Sequence, residues 1–387
     1  MRTFQLSEVC HIAMGQAPKG SSYNADGNGY PLLAGAGDFG EEVPEPSKFT
    51  TEPSKISKPG DILLCIRATI GDLNWSDKEY CLGRGVAGLR PKNKELDRNY
   101  LWRWLSFARP ELERRGRGST FKQVARKDIA DLEIVLPSDL NEQRKIAAIL
   151  DKADAILRKR KEALSLTNSL LRSCFFRIIE SKGGSYQPLG NHLVFVTSGS
   201  RGWAQYYSST GSRFIRSFDV QMNFISSHDA VFVNAPRTAE ADRARVRPGD
   251  VLLTITGSRI GRVACVGELR EDAYISQHVA IIRPTDSLLP EFLSFYLSLP
   301  SGGQRQIEKM QYGQTKPGLN LNQIREFEVP IPTIDQQRAF VHLAGKVNRL
   351  IFKELRRFDD AQNLMNVLAQ RAFQGVLKLP LERNMRG

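Results

Sequence analysis

Cations and amides interleaved in loops are the side chains of this 387-residue chain most suited to chemistry. The stretch Arg109 to Lys127 carries seven Lys or Arg against two Glu, with Ser119, Thr120, Phe121 and Gln123 among them. A counterpart runs from Gln304-Arg305 through Gln314-Thr315-Lys316-Pro317-Gly318-Leu319-Asn320. Lys, Arg, Ser and Thr bond phosphates, Arg bonds a guanine edge through two donors, and Asn or Gln does the same for adenine. Arg117, Lys122, Gln123, Arg126, Gln314, Lys316 and Asn320 are therefore candidate nucleic-acid contacts. Two turns, Arg67-Ala68-Thr69 and Thr256-Gly257-Ser258-Arg259, add Arg67 and Arg259, with Arg216 and Tyr23 as weaker members. The bland alternative for each is a solvated surface charge.

Catalytic patterns are missing from the sequence. Two stretches fit G-x-G-x-x-G, Gly35 to Gly40 and Gly83 to Gly88. A dinucleotide fingerprint needs a helix directly after the glycines, but the first runs into a Glu- and Pro-rich loop and the second into a strand ending at Arg90-Pro91. No phosphate-cradling G-x-x-x-x-G-K-[ST] and no Asn/Asp-Pro-Pro-Tyr occurs. The five histidines lack metal-ligand spacing, and His278, on an expected strand, reads as a structural residue. The residues argue for a binding protein without catalysis of its own.

The elements that must position these loops come in two copies, the first thing to look for in any chain. Lys58-Pro59-Gly60-Asp61-Ile62-Leu63-Leu64 matches Arg247-Pro248-Gly249-Asp250-Val251-Leu252-Leu253, and Val86 through Pro91 matches Val279 through Pro284. Tyr100 through Leu105 aligns with Glu291 through Tyr296, and Ile129 through Pro137 with Ile324 through Pro332. Each copy reads as short strands, a helix near Asn99–Ala108 or Leu289–Leu297, a basic or amide-rich loop, and a last strand. Strands and helices are segregated, which favours α+β domains. Ser181-Lys182-Gly183-Gly184-Ser185 reads as a linker between the copies.

A long helix follows each copy. Pro137 to Ile179 carries apolar or small residues at Ile146, Ile149, Ala153, Ile156, Ala163, Leu170 and Cys174, with Arg160 and Thr167 interrupting the seam. Asp335 to Val376 repeats the layout with Phe340, Leu343, Val347, Leu350, Phe358, Ala361, Met365, Leu368 and Ala372. Alternating steps of three and four predict coiled-coil packing, and the two helices are expected to pair antiparallel. About 39 helical residues span ~58 Å, enough to hold two DNA readers one to two duplex turns apart at roughly 34 Å per turn.

Charge supports a polyanion partner. The formal net charge is +13 with a pI near 9.6. Segments 137–182 and 331–387 hold +4 and +5 of it, so the helices are more basic than the globular parts. The run Arg158-Lys159-Arg160-Lys161 is expected to face DNA or a partner protein. Five scattered cysteines without C-x-x-C, no signal-peptide core and no long apolar run fit a reducing cytoplasm.

Leu136-Pro137 through Asn141-Glu142-Gln143-Arg144-Lys145-Ile146, ending in Ile149-Leu150-Asp151-Lys152-Ala153-Asp154, resembles the specificity subunits of type I restriction–modification systems. Pro330-Ile331-Pro332 through Gln336-Gln337-Arg338 and the paired Pro-Gly-Asp turns extend the likeness over nearly the whole chain. The second helix departs from the pattern with Gln336 in place of Glu and with Gly345 inside. The resemblance implies an α+β chain of two target-recognition domains, 1–136 and 181–330, with spacer helices at 137–180 and 331–387. The helices would form an antiparallel coiled coil separating the domains, related as a pseudo-two-fold internal repeat. It further implies a non-catalytic subunit that binds a bipartite, asymmetric double-stranded DNA target and assembles with two modification (methyltransferase) subunits. S-adenosylmethionine would come with those subunits, and ATP and Mg with added restriction (translocase/nuclease) subunits. The residues alone leave two alternatives, a sequence-specific DNA-binding protein acting by itself and a protein-interaction scaffold.

Overall fold

A computed structural model describes residues 1–180, 185–311 and 318–377. The chain forms two compact units: Met1–Ala163 with the chain from Glu354 onward, and Leu164–Lys353. Each unit contains one globular head and a segment of each long helix. The heads share one topology. In the first, strands Cys10–Met14, Val86–Pro91, Ile62–Cys65 and Leu73–Trp75 form an antiparallel sheet in that order. In the second, Leu193–Ser198, Val279–Pro284, Val251–Thr254 and Val263–Cys265 do the same. Each head adds a smaller four-stranded sheet with one parallel pair, Leu32–Leu33 on Cys81–Leu82 or Arg213–Ile215 on Ala273–Ile275. A two-stranded ribbon joins the start of each head to the strand just before its long helix, Arg2–Gln5 with Glu133–Leu136 and Tyr186–Pro188 with Glu328–Pro330.

The residues common to both copies build the scaffold. Gly60 and Gly249 adopt φ of 86° and 85°, a conformation that favours glycine. The aspartate that follows is buried and closes the turn. Asp61 accepts from the Lys58 amide at 2.9 Å, and Asp250 from the Arg247 amide at 2.7 Å. Each carboxylate then meets the arginine ending the neighbouring strand. Arg283 bonds Asp250 twice, at 2.7 and 2.9 Å, while Arg90 reaches Asp61 at 3.3 Å. Burial pushes the Asp61 carboxyl above its ordinary pKa, and the Lys58 amide and Arg90 only partly oppose it. The repeated Pro-Gly-Asp and Arg-Pro motifs thus hold one sheet together from two strands.

The glutamine one turn into each long helix is a second shared device. Gln143 and Gln337 are both 0% exposed. Gln143 donates to the carbonyls of Glu95 (2.7 Å) and Pro137 (3.0 Å) and accepts from the Asp97 amide (2.8 Å). Gln337 donates to Ser287 and Pro332 (2.9 and 3.0 Å) and accepts from the Leu289 amide (2.8 Å). Asp97 and Leu289 are the N-cap residues of the head helices Arg98–Arg115 and Pro290–Ser298. The two helices therefore correspond with Tyr100 on Phe292, one residue away from the alignment expected on sequence.

The long helices run Leu140–Glu180 and Ile334–Phe373. In the first unit, Ile146 and Leu150 of the first helix share a core with Ala369, Ala372 and Phe373 of the second. In the other unit, Leu171, Phe175 and Ile179 share a core with Phe340 and Val347, and the Phe175 and Phe340 rings lie 4.9 Å apart. The beginning of each helix thus lies against the end of the other, as the antiparallel expectation requires.

The expected seam needs correction in half its positions. Ile156 and Leu170 are exposed, Ala163 is exposed and Ile149 only half-buried, while Leu150, Leu157 and Leu171 are buried and Leu164 is half-buried. The inward row is Gln143, Ile146, Leu150, Ala153, Leu157, Arg160, Leu164, Thr167, Leu171, Cys174 and Ile178. On the second helix Leu350 is exposed where Ile351 faces in. Adjacent apolar residues such as Ile149-Leu150 and Ile156-Leu157 satisfy either register equally. Only the buried Gln143 and Gln337, each seated against a head, decide between them. Arg160 lies in the seam as the sequence placed it, and there it reaches Glu354 at 3.1 Å, so it does not face DNA or a partner protein as expected of its basic run.

Candidate nucleic-acid interface

In the first head the strand Ile62–Cys65 runs out into the turn that carries Arg67. Ala68, at φ 64°, donates its amide to the Lys122 carbonyl at 3.0 Å, and the Val124 amide donates to the Ile66 carbonyl at 3.0 Å. Arg117 and Gln123 exchange both backbone bonds, at 3.0 and 2.9 Å, which pinches residues 117–123 into a tight loop. Gly118 opens that loop at φ 130°. Gln123 thus bridges Arg67 on one side and Arg117 on the other. Two stretches about 50 residues apart in sequence are joined, and Arg67, Arg117, Lys122 and Gln123 gather on one set of loops.

The rest of the basic run behaves differently. Residues 109–115 belong to the helix Arg98–Arg115, not to a loop as expected, and its arginines are neutralised locally. Arg109 bonds Asp72 (2.7 Å) and Glu113 (2.8 Å), while Arg114 and Arg115 share Glu111. Those two guanidinium groups, Arg115 first, hold the Glu111 carboxyl below its ordinary pKa. Arg126 opens the short helix Arg126–Ala130 and donates to the Ile12 carbonyl at 2.6 Å. Tyr23 bonds weakly to the Pro18 carbonyl at 3.4 Å.

The second head repeats the frame. Val251–Thr254 leads into the turn 256–260, with Gly257 at φ 92°, and the Leu319 amide donates to the Ile255 carbonyl at 2.9 Å as Val124 does to Ile66. Thr256 bridges Gly318, at the end of the amide-rich loop. Arg259 lies in this turn with its guanidinium 4.5 Å from the Phe218 ring centre. His278 is not on the expected strand: it lies exposed in the turn just before Val279–Pro284, hydrogen-bonded to Thr256 and Gln277. Asn320 caps the helix Leu321–Arg325, accepting from the Gln323 amide at 2.9 Å. Arg216 is bound to the buried Asp219 by two bonds of 3.1 Å and to the Asp229 carbonyl at 2.9 Å. Gln314 and Lys316 lie outside the described residues.

Arg67, Arg117, Lys122 and Gln123 in one unit, and Arg259 in the other, therefore sit on loops projecting from matched strands. Arg126, Arg216 and Asn320 are instead engaged within the fold, with the Ile12 carbonyl, Asp219 and the Gln323 amide respectively. Sequence reasoning passed over the exposed rings Phe121 and Phe218, each beneath an arginine. The available signal was a large apolar residue inside a basic or turn-forming stretch. Among the described residues no group of three or more His, Cys, Asp or Glu could hold a metal ion. No helix there is long and apolar enough to cross a membrane.

The family model for the type I restriction modification DNA specificity domain matches residues 1–166 and again 210–367. Over 152 residues the chain is 40% identical to a Methanocaldococcus jannaschii protein described as the type I restriction enzyme MjaX specificity subunit. That match covers 39% of this chain and 36% of the relative. The MjaVIII specificity subunit of the same organism is 22% identical over 348 residues, spanning 83% of this chain and 81% of its own. The solved type I restriction–modification S subunit from M. genitalium has the same fold, with a TM-score of 0.58 at 16% identity over 98% of this chain and 96% of that one. Two matched copies of one domain, on two heads of one topology, place this chain in the family of type I restriction–modification specificity subunits.

Proposed function

We propose that each head reads one half of a bipartite, asymmetric DNA target, with the long helices fixing the distance between the half-sites and docking the modification subunits. The observation that carries this reading is the contrast between the two heads. Their sheets, buried Asp–Arg pairs and helix-seating glutamines coincide, while the loops at the strand ends differ in sequence and in the residues they present. A duplicated frame with unlike loops suits a target whose halves are unlike. In this reading Arg67, Arg117, Lys122, Gln123 and Arg259 meet DNA directly, and Gln314 and Lys316 extend the second set, while Arg126, Arg216 and Asn320 stay engaged within the fold. The chain supplies recognition without catalysis. Two modification subunits would bring S-adenosylmethionine, and restriction subunits would bring ATP and Mg.

Mapping methylated adenines in DNA modified by the complex tests the proposal. A split motif is expected, and replacing residues 1–136 with another head should change one half only. A continuous motif, or a change in both halves, would refute it. Salt titration supplies a second check, because phosphate contacts make affinity fall steeply with ionic strength.

A further inference from the structure

Of two exposed phenylalanines, Phe121 lies on a loop assigned above to DNA and Phe218 in a turn against Arg259, a residue so assigned, and an arginine covers each ring. Phe121 is 57% exposed at the tip of the 117–123 loop. That tip is tightly folded: a Cβ at Gly118 would lie 2.4 Å from the Phe121 carbonyl oxygen, and backbone bonds close the loop at Arg117 and Gln123. The Arg67 guanidinium stands 5.6 Å from the ring centre. In the other unit Phe218 is 61% exposed, in a turn closed by Asp219, whose carboxylate takes the Arg216 amide at 2.7 Å. Arg259 covers that ring at 4.5 Å. The phenylalanines come from unrelated places in their heads. The arginines come from the same turn, the one after the repeated Pro-Gly-Asp strand, Arg67 near its start and Arg259 near its end.

We propose that Phe121 and Phe218 are apolar wedges that enter the base stack of the bound duplex, with Arg67 and Arg259 moving from the rings to phosphates or base edges as they enter. This rests on the DNA-reading role assigned above and adds a mode of contact to it. A solvent-exposed ring gains by burial against another apolar surface. Here the ring is set among Arg67, Arg117 and Lys122, so the surface it fits is apolar but surrounded by negative charge. Stacked bases between phosphate backbones have that character, and Phe is among the residues that unstack a base step and bend the duplex. Each head would then also prefer an easily unstacked pyrimidine–purine step, giving selectivity at positions without a side-chain hydrogen bond.

The test uses the full chain in complex with its modification subunits, on a duplex carrying the motif found by methylation mapping. 2-Aminopurine replaces successive bases in and beside the half-site assigned to residues 1–136. The parent complex is expected to brighten one position as that base loses its neighbour. Phe121→Ala should abolish that signal and weaken binding by roughly 5- to 150-fold, the equivalent of ~1–3 kcal/mol for one stacked base. Its melting temperature and the slope of affinity against salt should stay unchanged, whereas Arg117→Ala should flatten the slope. Phe121→Leu, still apolar, should fall between parent and Phe121→Ala. Unchanged affinity and unchanged brightening in Phe121→Ala would overturn the proposal. So would normal DNA binding with loss of the modification subunits, which would make the ring a protein contact. A parent complex without sequence-specific duplex binding would instead sink the recognition role, and the wedge with it.

Discussion

Replacing Gln143 by leucine should destabilise the first unit more than almost any other single change to a polar side chain. Leucine nearly preserves the volume, so the cost lies in hydrogen bonds. Three backbone groups lose their partner: the Asp97 amide and the Glu95 and Pro137 carbonyls. Each orphaned buried group costs about 1–3 kcal/mol. Burying a leucine in place of an amide returns part of this, roughly 1–2 kcal/mol, which leaves a net loss of about 1–8 kcal/mol, with roughly 3–5 kcal/mol near the middle of that range. For a unit of about 200 residues that corresponds to a fall in Tm of roughly 6–20 °C. Urea unfolding followed by tryptophan fluorescence is suited to the measurement, because Trp75, Trp102 and Trp104 lie in this unit and Trp203 in the other. Gln143→Glu should be worse still at pH 7, since a carboxylate faces two carbonyls it cannot donate to. Its folded-state pKa would be raised, so its stability should recover as pH falls, when a proton becomes available to donate, and be lost again as pH rises. A Gln143→Leu variant within about 0.5 kcal/mol of the parent, the usual range for surface changes, would refute the seating role. So would a Glu variant as stable as the parent.

Other outcomes follow from the same geometry. Arg283→Met should cost about 3–5 kcal/mol by stranding the buried Asp250 carboxylate. Arg90→Met should cost less, because Arg90 is farther from Asp61 and that carboxyl is already pushed up by burial; thermal unfolding of the two variants gives the order. Burial pushes the Cys10 thiol up to about 12, so it stays protonated across pH 7–9, and iodoacetamide should label it only after unfolding, as read by mass spectrometry. Arg160→Glu should weaken helix pairing by setting Glu against Glu354, and adding Glu354→Arg should restore it, with chemical denaturation as the measure.

Much of this architecture was legible in the sequence because it was written twice. Lys58-Pro59-Gly60-Asp61 and Arg247-Pro248-Gly249-Asp250 marked the same turn, and the turn proved to carry the same buried carboxylate and arginine. Long helices followed from the period, and their antiparallel pairing from a chain that must cross back through the second head before it starts the second helix. The seam register did not, since doublets such as Ile156-Leu157 fit two faces and only a contact distant in sequence, Gln143 against Asp97, selects one. The interface was legible as composition but not as division of labour. Arg117 and Arg126 look alike in the sequence, yet the Arg117 side chain is exposed with a long 3.7 Å ion pair to Asp128, while Arg126 is bound to the Ile12 carbonyl 114 positions away. Phe121, though named within the basic stretch, is not among the candidate contacts because a lone aromatic in a loop becomes informative only when its exposure is known.

Arg160 and Glu354 are separated by 194 residues, the same offset that relates Gln143 to Gln337, so each occupies its partner's place in the other copy. A protein built from two identical halves would set arginine against arginine at this layer, or glutamate against glutamate. The opposite charges mean that the halves have become unlike where they meet. A first half offered to another first half now meets its own charge, whereas a second half is complementary. Exchange of halves between related genes would therefore yield matched hybrids as long as this one layer keeps its sign.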